Sequence, residues 1–547
     1  VPENKTPDND PVPETRESGG QSKPVDQGSR FLVRQGSMLS ILTLISRVLG
    51  LIREMTKAAL LGTSALSDAF SVAFMIPNLF RRLFAEGSIS VAFIPTFKEF
   101  LLEGNKEKIR DFLSSILTFL SFFVSLTVAL GVLAAPFVVK LFNMEEYSET
   151  VFLTRMMFPF LAFISIAAFF QGILNSVRIF TPAGFAPILL NVATILCAYL
   201  LSPFMKNPAR AMAVGILIGG FLEAAIQFPF VLRQGFRFSF TSLKKALSNP
   251  GTKAVLRLIG PTIIGMAAYQ LNDLVSTALA GHAGPGVVSS LQYSLRLQEL
   301  ILGVFAVSIG TVLLPDLAES AKTSRWDMYN RRLIGAMDII ALITIPITFL
   351  CLSQGETLIR LLFQTRNFDS QSVALTLSAF RFHIPGLFFI ALNRILAPAF
   401  YAQSDSKSPT LAGILSFVVN IILAAALVRP MKGAGVALAL STASAVNTIL
   451  LLVFLRRNPN IAVGKALRSA LVYTLKLAVF SCIAAVPLHF LNPLLLGYFS
   501  GRGRFISYGI PFIVSTIIFA AIGILLLVIT KDKQAKAVAG MFKRKRN

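Results

Sequence analysis

The chain has 547 residues, 54% of them hydrophobic and only 14% charged, with a mean hydropathy of +0.70. That balance excludes a soluble protein of this size and makes lipid the expected solvent. The formal net charge of +24 sorts by loop, as the positive-inside rule requires, which excludes nucleic acid as its reason.

Residues 1–34 are rich in Pro, Asp, Glu, Ser and Gly, with too little apolar surface to fold alone, and are expected to form a disordered cytoplasmic tail. The tail lacks the apolar stretch of a cleavable signal peptide, so the first helix, starting near Gly36, is expected to insert as a permanent span. Runs of about 20 apolar residues then predict an all-α polytopic membrane protein of about fourteen transmembrane helices. In chain order they fall at 37–62, 67–97, 111–140, 150–177, 180–203, 209–234, 252–281, 286–317, 328–353, 371–402, 409–429, 433–456, 467–493 and 503–530. Alternate loops carry Lys106, Lys108 and Arg110, then Arg233, Arg237, Lys244 and Lys245, then Lys322 and Arg325, then Arg456, Arg457, Lys465 and Arg468. The loop after the third helix is instead acidic, with Glu145, Glu146 and Glu149. An even helix count with both termini cytoplasmic fits, residues 531–547 being a basic cytoplasmic tail.

At an offset of about 220 residues the chain resembles itself. Arg82–Pro95 matches Leu302–Pro315, Val138–Phe142 matches Leu358–Phe363, and Pro159–Asn191 matches Pro385–Asn420. Six helices per copy give both copies the same orientation. The expectation is an N-lobe at 35–240 and a C-lobe at 250–458 around a central cavity, rocking for alternating access. Helices thirteen and fourteen, at 465–530, have no counterpart and are an addition.

A charge at the bilayer centre costs about 2.5–3.5 kcal/mol even on the lenient insertion scale, so each needs a partner, water or a function. The first helix carries Arg47, Arg53, Glu54 and Lys57, and the second Asp68, Arg81, Arg82 and Glu86, with Pro77 just before the arginines. Arg82 and Glu86 are spaced to pair, which leaves Arg81 for a ligand. Lys57 and Arg53 are the cations most open to the alternative of snorkelling to the interface. The eighth helix adds Arg296 and Glu299. Arginine forks bind phosphate oxygens in pairs and stay ionised, so a cavity holding several implies an anion such as a diphosphate. Arg381 and Arg394 are either further cavity cations or interface anchors. Asp273 and Asn272, with Asn420 and Thr442, are weak candidates for a sodium site, interhelical hydrogen bonding being the commoner role for such residues. Cys197, Cys351 and Cys482 lie far apart in apolar runs and are expected to be core residues. The three histidines are scattered and suggest no metal. No P-loop, nucleophile motif or acid pair is present, so neither an enzyme nor a cofactor is expected.

Ser46-Arg47-Val-Leu-Gly50-Leu-Ile-Arg53, Ser67-Asp68-Ala-Phe70 and Ile76-Pro77-Asn78-Leu-Phe-Arg81-Arg82-Leu-Phe-Ala-Glu86-Gly87 closely resemble the signature of the MurJ/MviN lipid II flippases. The stretches Arg296–Pro315 and Leu396–Tyr401 look like the same family. The resemblance implies a fourteen-helix member of the multidrug/oligosaccharidyl-lipid/polysaccharide exporter superfamily, in the bacterial cytoplasmic (inner) membrane. It implies transfer of lipid-linked disaccharide-pentapeptide, lipid II, from the inner to the outer leaflet, with helices thirteen and fourteen forming a groove for the polyprenyl tail. On that likeness Arg47, Arg53, Arg81 and Arg296 are cavity arginines and Asp68 and Glu86 functional acids, with Arg82 and Asn78 beside them in the motif. The expected partners are lipid II and membrane lipid, with cell-wall synthesis proteins as further candidates. The sodium site of some relatives is in question here, because Ala424 stands one turn after Asn420 where an acid is needed. Two competing functions are a cation-coupled multidrug exporter, which an arginine-rich cavity disfavours, and an intramembrane enzyme acting on polyprenyl diphosphate, which would need clustered acidic metal ligands.

Overall fold

The computed structural model describes residues 26–82 and 92–536, except for the side chains of 26–37, 260–269 and 304–312. Among the described residues the regular structure is entirely helical. In chain order the α-helices are α1 (Asp26–Leu61), α2 (Ala65–Arg81), α3 (Ile94–Glu103), α4 (Lys106–Lys140), α5 (Tyr147–Met157), α6 (Phe160–Ser176), α7 (Thr181–Leu201), α8 (Pro208–Arg233) and α9 (Leu243–Ser248). They continue as α10 (Pro250–Gly281), α11 (Val287–Lys322), α12 (Trp326–Phe363), α13 (Ser370–His383), α14 (Gly386–Tyr401), α15 (Lys407–Leu455), α16 (Val463–Tyr498) and α17 (Ile510–Ile529).

Among the described residues, eight helical stretches are long and apolar enough to cross a bilayer, and a ninth is completed by α13 and α14, bent by 45°. Prolines set several breaks, because each removes a backbone donor and crowds the preceding turn. Pro159 stands at the start of α6 and Pro385 at the start of α14; the first interrupts a helix within the single stretch Tyr147–Ser176, and the second divides α13 from α14 at the bend. In α15 the backbone leaves helical geometry at Lys432 (φ 51°, ψ −130°), two residues after Pro430. That break falls between the two spans expected at 409–429 and 433–456.

Buried apolar side chains gather in two large cores. One is built from α2 to α8 with part of α10, around Phe93, Phe97, Phe112 and Phe169. The other is built mainly from α11 to α16, around Tyr293, Tyr329, Phe363 and Phe380. α16 and α17 pack on each other and on α12. Their outer sides leave Leu471, Leu475, Val479, Ile513 and Ile517 exposed, an apolar exterior that suits lipid rather than water. Cys351 is buried, but Cys482 is exposed on that exterior, so it is no core residue. Burial in a protein core and contact with lipid leave the same apolar pattern in the sequence.

Candidate functional site

α1 has two unlike faces. Ile41, Leu44, Ile45, Val48 and Ile52 recur at helical spacing and stand exposed, as contact with lipid requires. Ser46, Arg47, Arg53 and Glu54 instead line a cavity of about 650 Å³. α2 contributes Asn78, Arg81 and Arg82, α8 contributes Glu223 and Gln227, α10 contributes Asn272 and Asp273, and α11 contributes Gln292, Arg296 and Glu299.

Five arginines therefore meet four carboxylates in the lining, so the chamber is less cationic than its arginines alone suggest. Arg53 pairs with Glu54 at 2.9 Å and Arg296 with Glu299 at 3.2 Å, the latter as the spacing along one helix face allows. Arg81 donates from Nε to Asn78 Oδ1 at 2.7 Å. Arg82 donates to Gln270 Oε1 at 3.2 Å; its expected partner Glu86 lies outside the described residues.

Two arginines cross between α1 and α11 over glycines. A Cβ at Gly303 would fall 1.6 Å from Arg47 Nη1, and one at Gly50 would fall 2.7 Å from Arg296 Nη2. Each helix thus leaves a side-chain-sized gap that the other helix fills with a guanidinium. Among the described residues no carboxylate pairs with Arg47. Reading the sequence by charge missed both glycines, although Gly50 sits inside the Ser46–Arg53 motif and a glycine within a helix costs about 0.5–1 kcal/mol relative to alanine, which marks a close approach.

Asp68 does not reach the chamber. It is 4% exposed and accepts the backbone N–H groups of Gly286 and Ser289, each at 2.7 Å, so it satisfies otherwise orphaned donors at the start of α11. Gly286 is at φ +80°, and a Cβ there would lie 2.4 Å from the carbonyl oxygen of Thr63, so both conformation and space require glycine. Thr63 and Ser372 share a hydroxyl hydrogen bond at 2.8 Å, Asn367 donates to the Ala59 carbonyl at 2.8 Å, and Tyr293 donates to the Gly62 carbonyl at 3.1 Å. These bonds seal the first two helices against the second half of the chain at the C-terminal end of α1.

Lys57 does not snorkel. It is 3% exposed, donates to Ser71 Oγ at 2.5 Å and Gln292 Oε1 at 3.3 Å, and stands 4.8 Å from the centroid of the Tyr293 ring. It joins α1, α2 and α11 between the chamber and the seal.

Of the weak sodium candidates, the structure brings Asn420 onto Asn272, next to Asp273 in α10. Asp273 lines the chamber with Asn272 and Ser276, whereas Thr442 is absent from the lining. Asn420 is buried and donates to Asn272 Oδ1 at 2.7 Å and Ser276 Oγ at 2.9 Å, an interhelical bridge. Among the described residues no cluster of three or more His, Cys, Asp or Glu side chains is placed to hold a metal. Arg394 is not in the chamber lining, and Arg381 lines a separate cavity.

A family model described as the lipid II flippase MurJ matches residues 57–502. The probable lipid II flippase MurJ of Treponema pallidum (strain Nichols) is 46% identical over 510 residues, covering 92% of this chain and 97% of that protein. The lipid II flippase MurJ of Burkholderia cenocepacia is 33% identical over 423 residues, covering 76% and 82%. A solved structure of lipid II flippase MurJ in an inward closed conformation superposes with a TM-score of 0.75 at 25% identity, covering 90% of this chain and 99% of that one. An inward-facing multidrug transporter of the MATE family in the MOP superfamily superposes at 0.64 with 13% identity, covering 79% and 98%, a likeness of fold alone. With the family model spanning most of its length and a relative nearly half identical from end to end, this chain belongs to the MurJ family of lipid II flippases, transporters rather than enzymes.

Proposed function

We propose that the arginine-lined chamber carries the headgroup of lipid II across the bacterial inner membrane by alternating access. Arg47 and Arg296 grip the diphosphate from the two sides, and Arg53, Arg81 and Arg82 extend the cationic wall, with Asn78 holding Arg81 in position. Residues 35–240 and 250–458 act as two lobes in a chain of fourteen crossings. Both termini are cytoplasmic, so the seal at the end of α1 closes the outer side, and the polyprenyl tail stays in lipid along α16 and α17. Asp68 and Lys57 act on the seal rather than on the ligand, and Glu86 is a further acid of the helix-two motif.

The observation that carries this reading is the crossing of Arg47 and Arg296 over Gly303 and Gly50, which puts guanidinium groups from both halves of the chain into one cavity. A phosphate between them is bound by forked donors on each side, and neutralising them lets the halves approach. The acids in the lining keep the empty chamber from being too repulsive to close. Cell-wall synthesis proteins are proposed as partners that supply and take the lipid.

Complementation of a flippase-depleted bacterium tests the assignment. The unaltered chain restores growth, and Arg47→Ala or Arg296→Ala, present in the membrane at equal amount, does not. Full growth with both substitutions together overturns the role given to these arginines.

A further inference from the structure

A second cavity, of about 630 Å³, lies between α12, α13 and the turn joining α16 to α17. Three arginines line it, Arg360, Arg381 and Arg504, against a single carboxylate, Glu356. Glu356 is shared with Arg360 at 2.8 Å, and Arg504 donates to the Gln364 carbonyl at 2.8 Å. Arg381, exposed in the last turn of α13, has no carboxylate partner among the described residues. Three fixed cations against one acid leave the cavity in need of an anion, and forked guanidinium groups favour oxygens spaced as in phosphate.

The surroundings say where that anion comes from. Arg504 lies 4.9 Å from the ring of Phe505, and Arg502 lies 5.4 Å from that of Tyr498. Tyr498 and Phe505 are themselves exposed, as are Phe490 and Leu494 one to two turns earlier on α16. Aromatic rings beside arginines at a helix end mark the depth of lipid headgroups, with acyl chains below. We infer that this cavity binds the phosphate of a lipid headgroup, separately from the transport chamber. It lies at the sealed end of α1, because the loop that begins at Gln364 carries Asn367 onto Ala59. Its assignment to the outer leaflet rests on the orientation proposed above; the binding itself does not. Two lipids share this chemistry, a phosphatidylglycerol-type phospholipid and a polyprenyl diphosphate.

The test is binding by native mass spectrometry to the full chain carrying Arg47→Ala and Arg296→Ala, which removes the chamber's grip. The probes are phosphatidylglycerol, undecaprenyl diphosphate, inorganic phosphate and diacylglycerol. Phosphate-bearing lipid is expected to bind, to weaken about tenfold with added Arg381→Ala, and to tighten severalfold with Glu356→Gln, which frees Arg360. The tighter of the two lipids names the source, and competition by inorganic phosphate assigns the contact to the phosphate. Melting curves that match the parent keep the comparison among folded proteins. Binding indifferent to both added substitutions, or equal binding of diacylglycerol, overturns the inference. Binding seen with the unaltered chain but absent from this double variant belongs to the chamber, which leaves that reading standing while this one falls.

Discussion

The guanidinium of Arg47 on α1 occupies the space that a side chain at Gly303 on α11 would need, the nearest approach to a built Cβ being 1.6 Å. Arg296 on α11 stands in the same relation to Gly50 on α1, at 2.7 Å. The displaced atoms are the far ends of flexible side chains, so an alanine pushes the arginine aside rather than the helix. Gly303→Ala is therefore expected to keep or raise thermal stability, by up to about 1 kcal/mol, while lowering flipping about as much as Arg47→Ala. Gly50→Ala is expected to do less. Complementation read beside a melting curve separates this outcome from misfolding, and wild-type growth with Gly303→Ala would show that the position of Arg47 does not matter.

The seal at Asp68 makes a different demand. Asp68→Ala leaves the N–H groups of Gly286 and Ser289 without their acceptor, at about 1–3 kcal/mol for each buried group left unmet. The closed end is expected to open more often, so that a cysteine at Thr63 reacts faster with a water-soluble thiol reagent. Asp68→Asn retains an acceptor and should fall between. Unchanged reactivity in Asp68→Ala would remove Asp68 from the seal.

Thr63 and Ser372 touch through their hydroxyl groups at 2.8 Å, close enough for a bridge between cysteines at the two positions. The doubly substituted protein is expected to stop flipping when oxidised and to resume when reduced. Flipping that continues with the bridge formed would mean that this end need not part.

Much of this architecture is legible in the residues, and the remainder has a common cause. Apolar runs mark α4, α8 and α17 because lipid demands length and apolarity of a single helix, and the i,i+3 pair Arg296–Glu299 is local. What the sequence does not disclose are contacts between distant segments. Asp68 reads as a membrane charge until Gly286 and Ser289 donate to it. Lys57 reads as a snorkelling cation until Ser71, Gln292 and Tyr293 surround it. The breaks at Pro159 and Pro385 were masked by hydropathy, which does not register a missing backbone donor.

Beyond the membrane-spanning segments, Asp532 fastens the chain after α17. Burial opposes its charge, but Lys476 at 2.6 Å, the Ala535 amide and the Tyr473 hydroxyl outweigh that and hold its carboxyl below the usual carboxylate range. A depressed folded-state value means that its contribution is fully present above the unfolded value of about 3.9 and fades as pH falls through the lower folded one. Asp532→Asn is expected to lower the melting temperature at neutral pH and to flatten this part of the acid dependence. A melting profile in acid parallel to that of the unaltered chain would place the dependence elsewhere.

If Arg47 and Arg296 together hold the diphosphate of lipid II, the affinity of the purified chain for lipid II in nanodiscs depends on both guanidinium groups. Arg296→Lys, which keeps the charge but loses the fork, is predicted to bind about tenfold more weakly, and Arg47→Ala with Arg296→Ala about a hundredfold more weakly. Binding by the double variant with the affinity of the unaltered chain would mean that these two arginines do not hold the diphosphate.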